Sequence, residues 1–419
     1  MLIGKQQRLL VICFAFVYVV LTVPGQSVNL VDADTGAPVK EGILTADQHL
    51  VLPDALGVFH LPAGVQVVTT RAVGYQRSFL SITGARPVDL TMRLRPLTVR
   101  ALYLTEYGIA SASLRNGALG IIQRNGANAL VITLKSDRGM IAYPTQVAMA
   151  VAVGANKGET IRSLPNLVAD LHGRGIYLIA RIVTFKDESL ASARPNLAIH
   201  ASNNALYRDR EHLAWTDPFQ QEVRDYNIAI AREVAQAGFD EVQFDYARFP
   251  DCAQSLRFSQ LTSEGQRINA ITGFLRDARK ALVPYNVFVS VDVFGYTLWN
   301  TNDTGIGQQL EEIAGTVDYV CPMLYPSGFQ YGIPGHRNPV AADDDIYSTV
   351  RLSLDEAIRR TKISPKHFRP WIQGFRDYGF THRAFEAPEV ALQRRAASDA
   401  STSGWALWNA RNIYSSCGL

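Results

Sequence analysis

The sequence predicts a parallel (β/α)8 barrel of the α/β class, preceded by a small all-β sandwich. Three observations carry this prediction. From Val99 onward, short apolar runs alternate eight times with helix-length amphipathic stretches, the pattern of a parallel sheet wrapped by helices. Before about Pro96 no helical period is present, and short strands recur every ~8–12 residues between Gly, Asp and Pro turns, as in a sandwich. The chain has 419 residues, 47% of them hydrophobic, enough for one large barrel and a small module. The expected divisions are a leader at 1–25, a sandwich at 27–97 and a barrel at 98–419.

The leader has a positive start, Lys5 and Arg8, then an apolar run from Leu9 to Val23 broken only by Thr22, and ends at Pro24-Gly25-Gln26-Ser27. This is the pattern of a signal peptide. A permanent span usually needs ~20 apolar residues, so cleavage near Gly25 is expected, with a secreted or periplasmic product. The alternative is an uncleaved anchor, which would touch a membrane through this segment alone. Beyond Cys13 in the leader, the cysteines are Cys252, Cys321 and Cys417. An odd number leaves at least one free thiol or an intermolecular bond, and a Cys252–Cys321 bridge requires both loops to open on one barrel face.

In the sandwich, strands are expected at Val28–Asp32, Gly42–Thr45, Val58–Leu61, Val65–Thr70, Ser78–Ile82 and Val88–Leu94. The turns are Asp34-Thr35-Gly36 and Asp54-Ala55-Leu56-Gly57. The order Asp-x-x-Thr-Gly-x-Pro-Val, then Gly-x-Phe-x-Leu, then Ala-Val-Gly-Tyr-Gln resembles the regulatory-like sandwich domain first described in carboxypeptidases. That resemblance implies a structural or sugar-binding accessory role and no catalytic one.

The barrel strands are expected at Ala101–Thr105, Ala129–Leu134, Ile176–Val183, Glu241–Asp245, Val287–Asp292, Asp318–Met323, Pro370–Gln373 and Gly404–Trp408, numbered one to eight below. Helices are expected over Ser113–Arg124, Glu159–Arg174 with an early interruption at Pro165, Ser263–Leu282, Gly307–Ala314, Ile346–Arg360 and Pro388–Ala400. The longest helix is expected from Asp217 to Ala237, with Pro218 in its first turn and Gly238 as its stop. Only eleven residues follow Trp408, so the eighth helix is short or missing.

Side chains alternate between the two faces of a strand. Val242 and Phe244 suit the helix side of strand four, so Glu241, Gln243 and Asp245 face inward. By the same rule Phe288, Ser290 and Asp292 face inward on strand five. Asp245 and Asp292 then reach the C-terminal mouth from neighbouring strands, where barrel enzymes carry their chemistry. Paired carboxylates are what glycoside hydrolysis needs, one to protonate the leaving oxygen and one to attack carbon or activate water. Helix capping or pairing with Arg248 is the bland alternative.

Other expected mouth residues suit a sugar. Tyr325 follows strand six, Gln373 ends strand seven, and Trp405, Trp408 and Asn409 end strand eight. Aromatic rings stack on sugar C–H faces, whereas amides and charges read hydroxyls. Arg181 and Lys135 are inward cations, and either could stabilise ionised Asp245 or form a barrel-floor ion pair. Trp215 could cover the site or staple the helix that follows it.

The stretches Tyr226-Asn227, Gly238 to Pro250, Met323-Leu324-Tyr325-Pro326 and Gly404 to Ala410 resemble a bacterial family of glycosyl hydrolase domains of unassigned specificity, within the barrel glycosidase superfamily. The likeness spans roughly Val99 to Tyr414. It implies the barrel and a carbohydrate substrate. Strand two of that family reads Asp-x-Lys-Asp, but here it is Thr133-Leu134-Lys135-Ser136-Asp137, which leaves Asp137 as the nearby carboxylate. Strand four is also similar to that of chitinase-type enzymes, whose proton donor stands two residues after the last aspartate. That position is Ala247 here, so a chitinase-type mechanism lacks its acid. The α-amylase-like arrangement, with the nucleophile at the end of strand four, implies Asp245 as nucleophile or charge stabiliser and Asp292 as general acid/base. Arg248 and Arg181 would orient Asp245.

The net charge of +3 is dispersed, which gives nucleic-acid binding no electrostatic support. No phosphate loop, Gly-x-Ser-x-Gly elbow or zinc-ligand spacing is present, so neither a metal nor another cofactor is expected. The rival readings are a non-catalytic glycan-binding barrel and a structural envelope protein.

Overall fold

The computed structural model describes residues 26–82, 89–252 and 255–419. The expected leader lies outside these residues, as does Val88 at the start of the last sandwich strand. Among the described residues, no helix is long and apolar enough to cross a membrane.

Two small sheets precede the barrel. One orders Phe59–His60, Ser27–Asp32 and Asp89–Leu94 side by side. The other orders His49–Val51, Gly42–Ala46, Val67–Ala72 and Ser78–Ser81. Val28, Leu30, Leu44, Phe59, Val68 and Leu94 share one core. The short strand His49–Val51 was not expected. It pairs Ala46 with His49 across Asp47-Gln48, both at positive φ, the two-residue turn of a tight hairpin. Asp-Gln lacks the usual Asn-Gly signal for that turn.

The barrel strands are Val99–Leu104, Ala129–Lys135, Tyr177–Val183, Glu241–Asp245, Phe288–Val293, Tyr319–Pro322, Trp371–Gln373 and Gly404–Trp408. Each matches an expected strand to within two residues at either end. They run parallel in the order six-five-four-three-two-one-eight-seven. Bridges from Val320 to Phe368 and from Met323 to Trp371 join six to seven and close the ring.

The helices depart from expectation mostly at their starts. The helix after strand three begins at Gln221 and ends at Gln236. The Asp217 carboxylate instead accepts from Phe219 N at 3.0 Å and Ser259 N at 2.6 Å, which holds its own segment in a loop. The longest helices are Glu264–Leu282 and Asp343–Thr361, 19 residues each. Pro165 does not interrupt a helix. It sits in the first turn of Leu164–Gly173, which Ser163 caps, where proline costs no hydrogen bond. No helix follows strand eight. Asn412 and Tyr414 of the tail instead donate to Tyr103 O at 3.3 and 2.6 Å, packing it against strand one.

The alternation rule places the layers. Val242, Phe244, Val289 and Val291 join the core between barrel and helices, while Phe288 lies in the barrel interior. Glu241 is also interior and serves the barrel floor. Arg369 grips its carboxylate at 2.9 and 2.7 Å, and the Tyr177 hydroxyl donates to it at 3.0 Å.

The N-terminal sheets pack under this floor. Arg77 donates to Asp240 at 2.6 and 3.1 Å, Gly74 N to the Tyr319 hydroxyl at 3.0 Å, and Asn286 Nδ2 to Thr70 O at 3.2 Å. Asp240, Asn286 and Tyr319 stand where strands four, five and six begin, so the opposite, C-terminal mouth stays open.

Candidate active site

Strand four ends in Asp245, and the chain turns at once. Tyr246 has φ +50°, a conformation uncommon for a residue with a side chain, and its N–H donates to Asp245 Oδ1 at 2.7 Å. Strands four and five are in register from Glu241↔Phe288 to Phe244↔Val291. The next step along each strand places Asp245 and Asp292 side by side, facing inward.

Their surroundings differ. Asp245 is ion-paired with Arg181, whose Nε and Nη2 lie 2.9 and 2.5 Å from Oδ2. Arg181 also donates from Nη1 to Thr133 Oγ1 at 3.0 Å, and its guanidinium lies over the Tyr103 and Trp408 rings at 5.5 and 5.1 Å. Burial, the largest single influence, would lower the arginine pKa, but Asp245, Tyr103 and Asp292 together outweigh it and raise the pKa overall. Among the described residues, no cation is bonded to Asp292. It accepts one hydrogen bond, from Trp371 Nε1 at 2.6 Å. Burial, and next the charge of Asp245, push its pKa well above the usual carboxylate range, while the Trp371 bond opposes the shift.

Above these groups opens a cavity of about 450 Å³, within the size range of small-ligand sites. Half of its lining residues are aromatic. Tyr103 and Trp408 stack at 3.9 Å, with Trp371 edge-on to both at 6.1 and 5.5 Å. On the other side Phe375 lies parallel to Tyr378 at 6.0 Å and edge-on to Tyr325 at 5.4 Å. Burial raises the Tyr325 phenol pKa, and Asp292 and Asp245 add to the shift.

Of the residues expected at the mouth, Asp245, Asp292, Arg181, Arg248, Tyr325 and Trp408 line this cavity. Arg248 does so without touching Asp245. Its guanidinium lies 5.0 Å from each of the Trp215 and Tyr246 rings, and its Nη1 donates to Phe249 O at 3.0 Å.

The other expected residues lie elsewhere. The pairing of strands two and three slips between Arg181 and Ile182, so that Lys135 pairs with Ile182 and not with Val183. That bulge turns Lys135 out of the interior toward the helices. There it is fully buried, ion-paired with Asp187 at 2.8 Å and bonded to Asn227 at 3.1 Å. Burial lowers its pKa, and Asp187 opposes the shift. Asp137, half-buried in the turn that follows, lies outside the lining. Trp215 is buried behind the lining and donates to Asp209 at 3.0 Å. Trp405 and Trp408 are three residues apart, so alternation sends them to opposite faces, and Trp405 packs in the helix layer. Gln373 is buried and clamps Ser327 through its side-chain oxygen and nitrogen at 3.1 and 2.6 Å. Asn409 holds the tail, donating to Gly374 O and Ile413 O at 2.7 and 2.9 Å. Cys252, Cys321 and Cys417 are all unbridged, with Cys321 in the barrel interior.

Sequence reasoning missed Trp371, whose signal was available: it stands two residues before Gln373, on the same strand face. It also missed Arg210, Phe375 and Tyr378, which lie in loops where no periodicity announces them. Glu106, half-buried after strand one, is a further carboxyl near Arg181. Its pKa is raised by burial, and Arg181 opposes the shift.

Comparison with known proteins places this geometry in context. No curated protein matches the sequence. A hypothetical protein from Ruminiclostridium thermocellum is 32% identical over 46% of this chain and 97% of its own, with a TM-score of 0.40. The PgaB (BpsB) glycoside hydrolase domain from Bordetella bronchiseptica is 13% identical, covering 75% of this chain and 95% of that one, with a TM-score of 0.54. At that identity the likeness is one of fold. A chitinase from Chromobacterium violaceum is 14% identical over 77% of this chain and 96% of its own, with a TM-score of 0.45. The model of the family described as "Putative glycosyl hydrolase domain" matches residues 101–414, all but the ends of the barrel and three quarters of the chain, and the protein belongs to that family.

Proposed function

We propose that the protein is a secreted glycoside hydrolase that cleaves a polysaccharide or oligosaccharide with Asp292 as general acid and Asp245 as its anionic partner. The observation that carries this reading is the contrast between two adjacent carboxyls. Asp245 carries its charge in an ion pair with Arg181. Asp292 is buried without a bonded cation, and its pKa is driven upward. A buried carboxyl that favours its protonated form, beside a carboxylate held in an ion pair, is the division of labour that acid-assisted glycoside cleavage requires.

In the proposed reaction the Asp292 carboxyl gives its proton to the glycosidic oxygen as the bond to the anomeric carbon breaks. Asp245 attacks that carbon, or stabilises its positive charge, from the side of Arg181. Asp292, now a carboxylate, takes a proton from the incoming water as the water oxygen bonds the anomeric carbon, and Asp245 leaves that carbon as a carboxylate, so both groups are restored. Adjacent parallel strands lie ~4.8 Å apart, nearer the ~5–5.5 Å separation of retaining enzymes than the ~6.5–9.5 Å of inverting ones. Retention of the anomeric configuration is therefore expected, and proton NMR of the first-formed product reads it directly. Trp408 and the Phe375–Tyr378 pair supply flat faces for sugar rings.

The test is release of reducing ends from a panel of bacterial and plant polysaccharides, with Asp245→Asn and Asp292→Asn in parallel. Each substitution is expected to lower turnover by ~10³-fold or more, the scale of losing a general acid or a charge stabiliser. Near-normal release by both variants would falsify the assignment. Glycan binding by the wild type without release on any substrate would favour a non-catalytic binding protein.

A further inference from the structure

Three arginines line the cleft, Arg181, Arg210 and Arg248, against two carboxyls, Asp245 and Asp292. Arg181 commits its donors to Asp245 and Thr133, and Glu106 acts on it from behind. Arg248 uses one donor on Phe249 O, and its guanidinium lies between the Trp215 and Tyr246 rings, 5.0 Å from each centroid. Arg210 is exposed at the rim, where its charge acts on the Tyr378 phenol.

Neither Arg210 nor Arg248 forms an ion pair among the described residues, and the remaining residues contain no Asp or Glu. Three nearby acids have partners of their own. Asp209 and Glu211, which flank Arg210, both pair with Lys186, at 3.0 and 2.6 Å. Asp377 accepts backbone N–H bonds from Gly379, Phe380, Thr381 and His382 in its own loop. Asp251, three residues beyond Arg248, is exposed and forms no ion pair among the described residues.

Resting on the glycosidase reading, we infer that the cleft takes an acidic glycan, with a sugar carboxylate held by Arg248 and Arg210 beside the scissile bond. A guanidinium presents a rigid fork that matches a carboxylate. The two ring contacts and the bond to Phe249 O restrain Arg248 before a ligand arrives, so less order is lost on binding. A neutral sugar would offer neither guanidinium a counter-charge, whereas a sugar carboxylate would offer one to both.

The experiment is equilibrium binding by the full chain carrying Asp292→Asn, which blocks turnover under the proposed mechanism. The probes are polygalacturonate, alginate and hyaluronan, each beside its carboxyl-reduced neutral form, with a sulfated neutral glucan as a further arm. At least one acidic polymer is expected to bind tenfold or more tighter than its reduced form, and more weakly as salt is added. Arg210→Gln and Arg248→Gln should each weaken that binding about tenfold, the scale of one charged hydrogen bond. Arg210 is exposed and forms no ion pair or hydrogen bond among the described residues, so its variant should melt like the parent. Equal binding of acidic and reduced forms, binding of none, binding of the sulfated glucan alone, or no effect of Arg210→Gln would each overturn the inference. Acidic polymers bound but never cleaved by the wild type would leave it standing and remove the glycosidase reading. Cleavage of neutral glycans with no acidic preference would do the reverse.

Discussion

Asp292 shows most directly what burial does to a single residue. Its carboxyl titrates near 3.9 in an unfolded chain and higher in the folded protein, because burial and then Asp245 disfavour its charged form. The folded state therefore holds more protons above that value, and stability falls as pH rises from about 4 toward the raised folded pKa. Asp292→Asn removes this dependence. Its melting temperature, relative to wild type, should increase through that window, and a gap that stays flat with pH would contradict a raised pKa. The two tryptophans of strand eight make a second residue-level contrast. Trp405→Ala should destabilise the fold by ~3–5 kcal/mol and spare glycan binding, because Trp405 packs among the helices. Trp408→Ala should weaken glycan binding measurably, because Trp408 lines the cleft. Calorimetry with a bound glycan separates the two effects. The sequence placed both rings at the mouth, although alternation along Gly404–Trp408 admits only one.

At the scale of elements, strand two shows how register decides the role of a residue. Without the slip beside Ile182, Lys135 would face the interior next to Arg181. With it, Lys135 spans the gap to Asp187, whose carboxylate also caps the helix Glu188–Ala193 by accepting from Leu190 N at 2.8 Å. Removing one partner of a buried pair leaves the other charge uncompensated. Lys135→Ala is therefore expected to lower the unfolding free energy by ~3–5 kcal/mol in a denaturant titration. Glycan affinity per folded molecule should be unchanged. A loss of affinity without loss of stability would return Lys135 to the site. The bulge itself was not legible, since Thr133-Leu134-Lys135 reads as plain alternation. Strands four and eight were legible to the residue, because their apolar runs end sharply at Asp245 and Trp408.

At the scale of the molecule, the N-terminal sheets meet the barrel at the end opposite the cleft. Arg77 is the main polar tie, nine-tenths buried and bonded to Asp240. Asp240 in turn accepts from His172 and from Leu178 N at 2.9 and 2.8 Å. Arg77→Ala should cost ~3 kcal/mol and leave reducing-end release unchanged once the folded fraction is matched. A selective fall in turnover would show that the sheets communicate with the mouth. Because the tie is on the floor, the sheets support the barrel and leave access to the cleft to its own loops.

The chain's periodicity by itself determined the eight parallel strands, their inner faces and the pair Asp245 and Asp292, because strand alternation is a local property of the backbone. Only the tertiary structure decided which cations meet those acids. Arg181 reaches Asp245 and Lys135 does not, owing to a one-residue slip between strands that no local pattern encodes. It also brought Arg210, Phe375 and Tyr378 to the cleft from loops, whose paths are set by packing against the rest of the molecule.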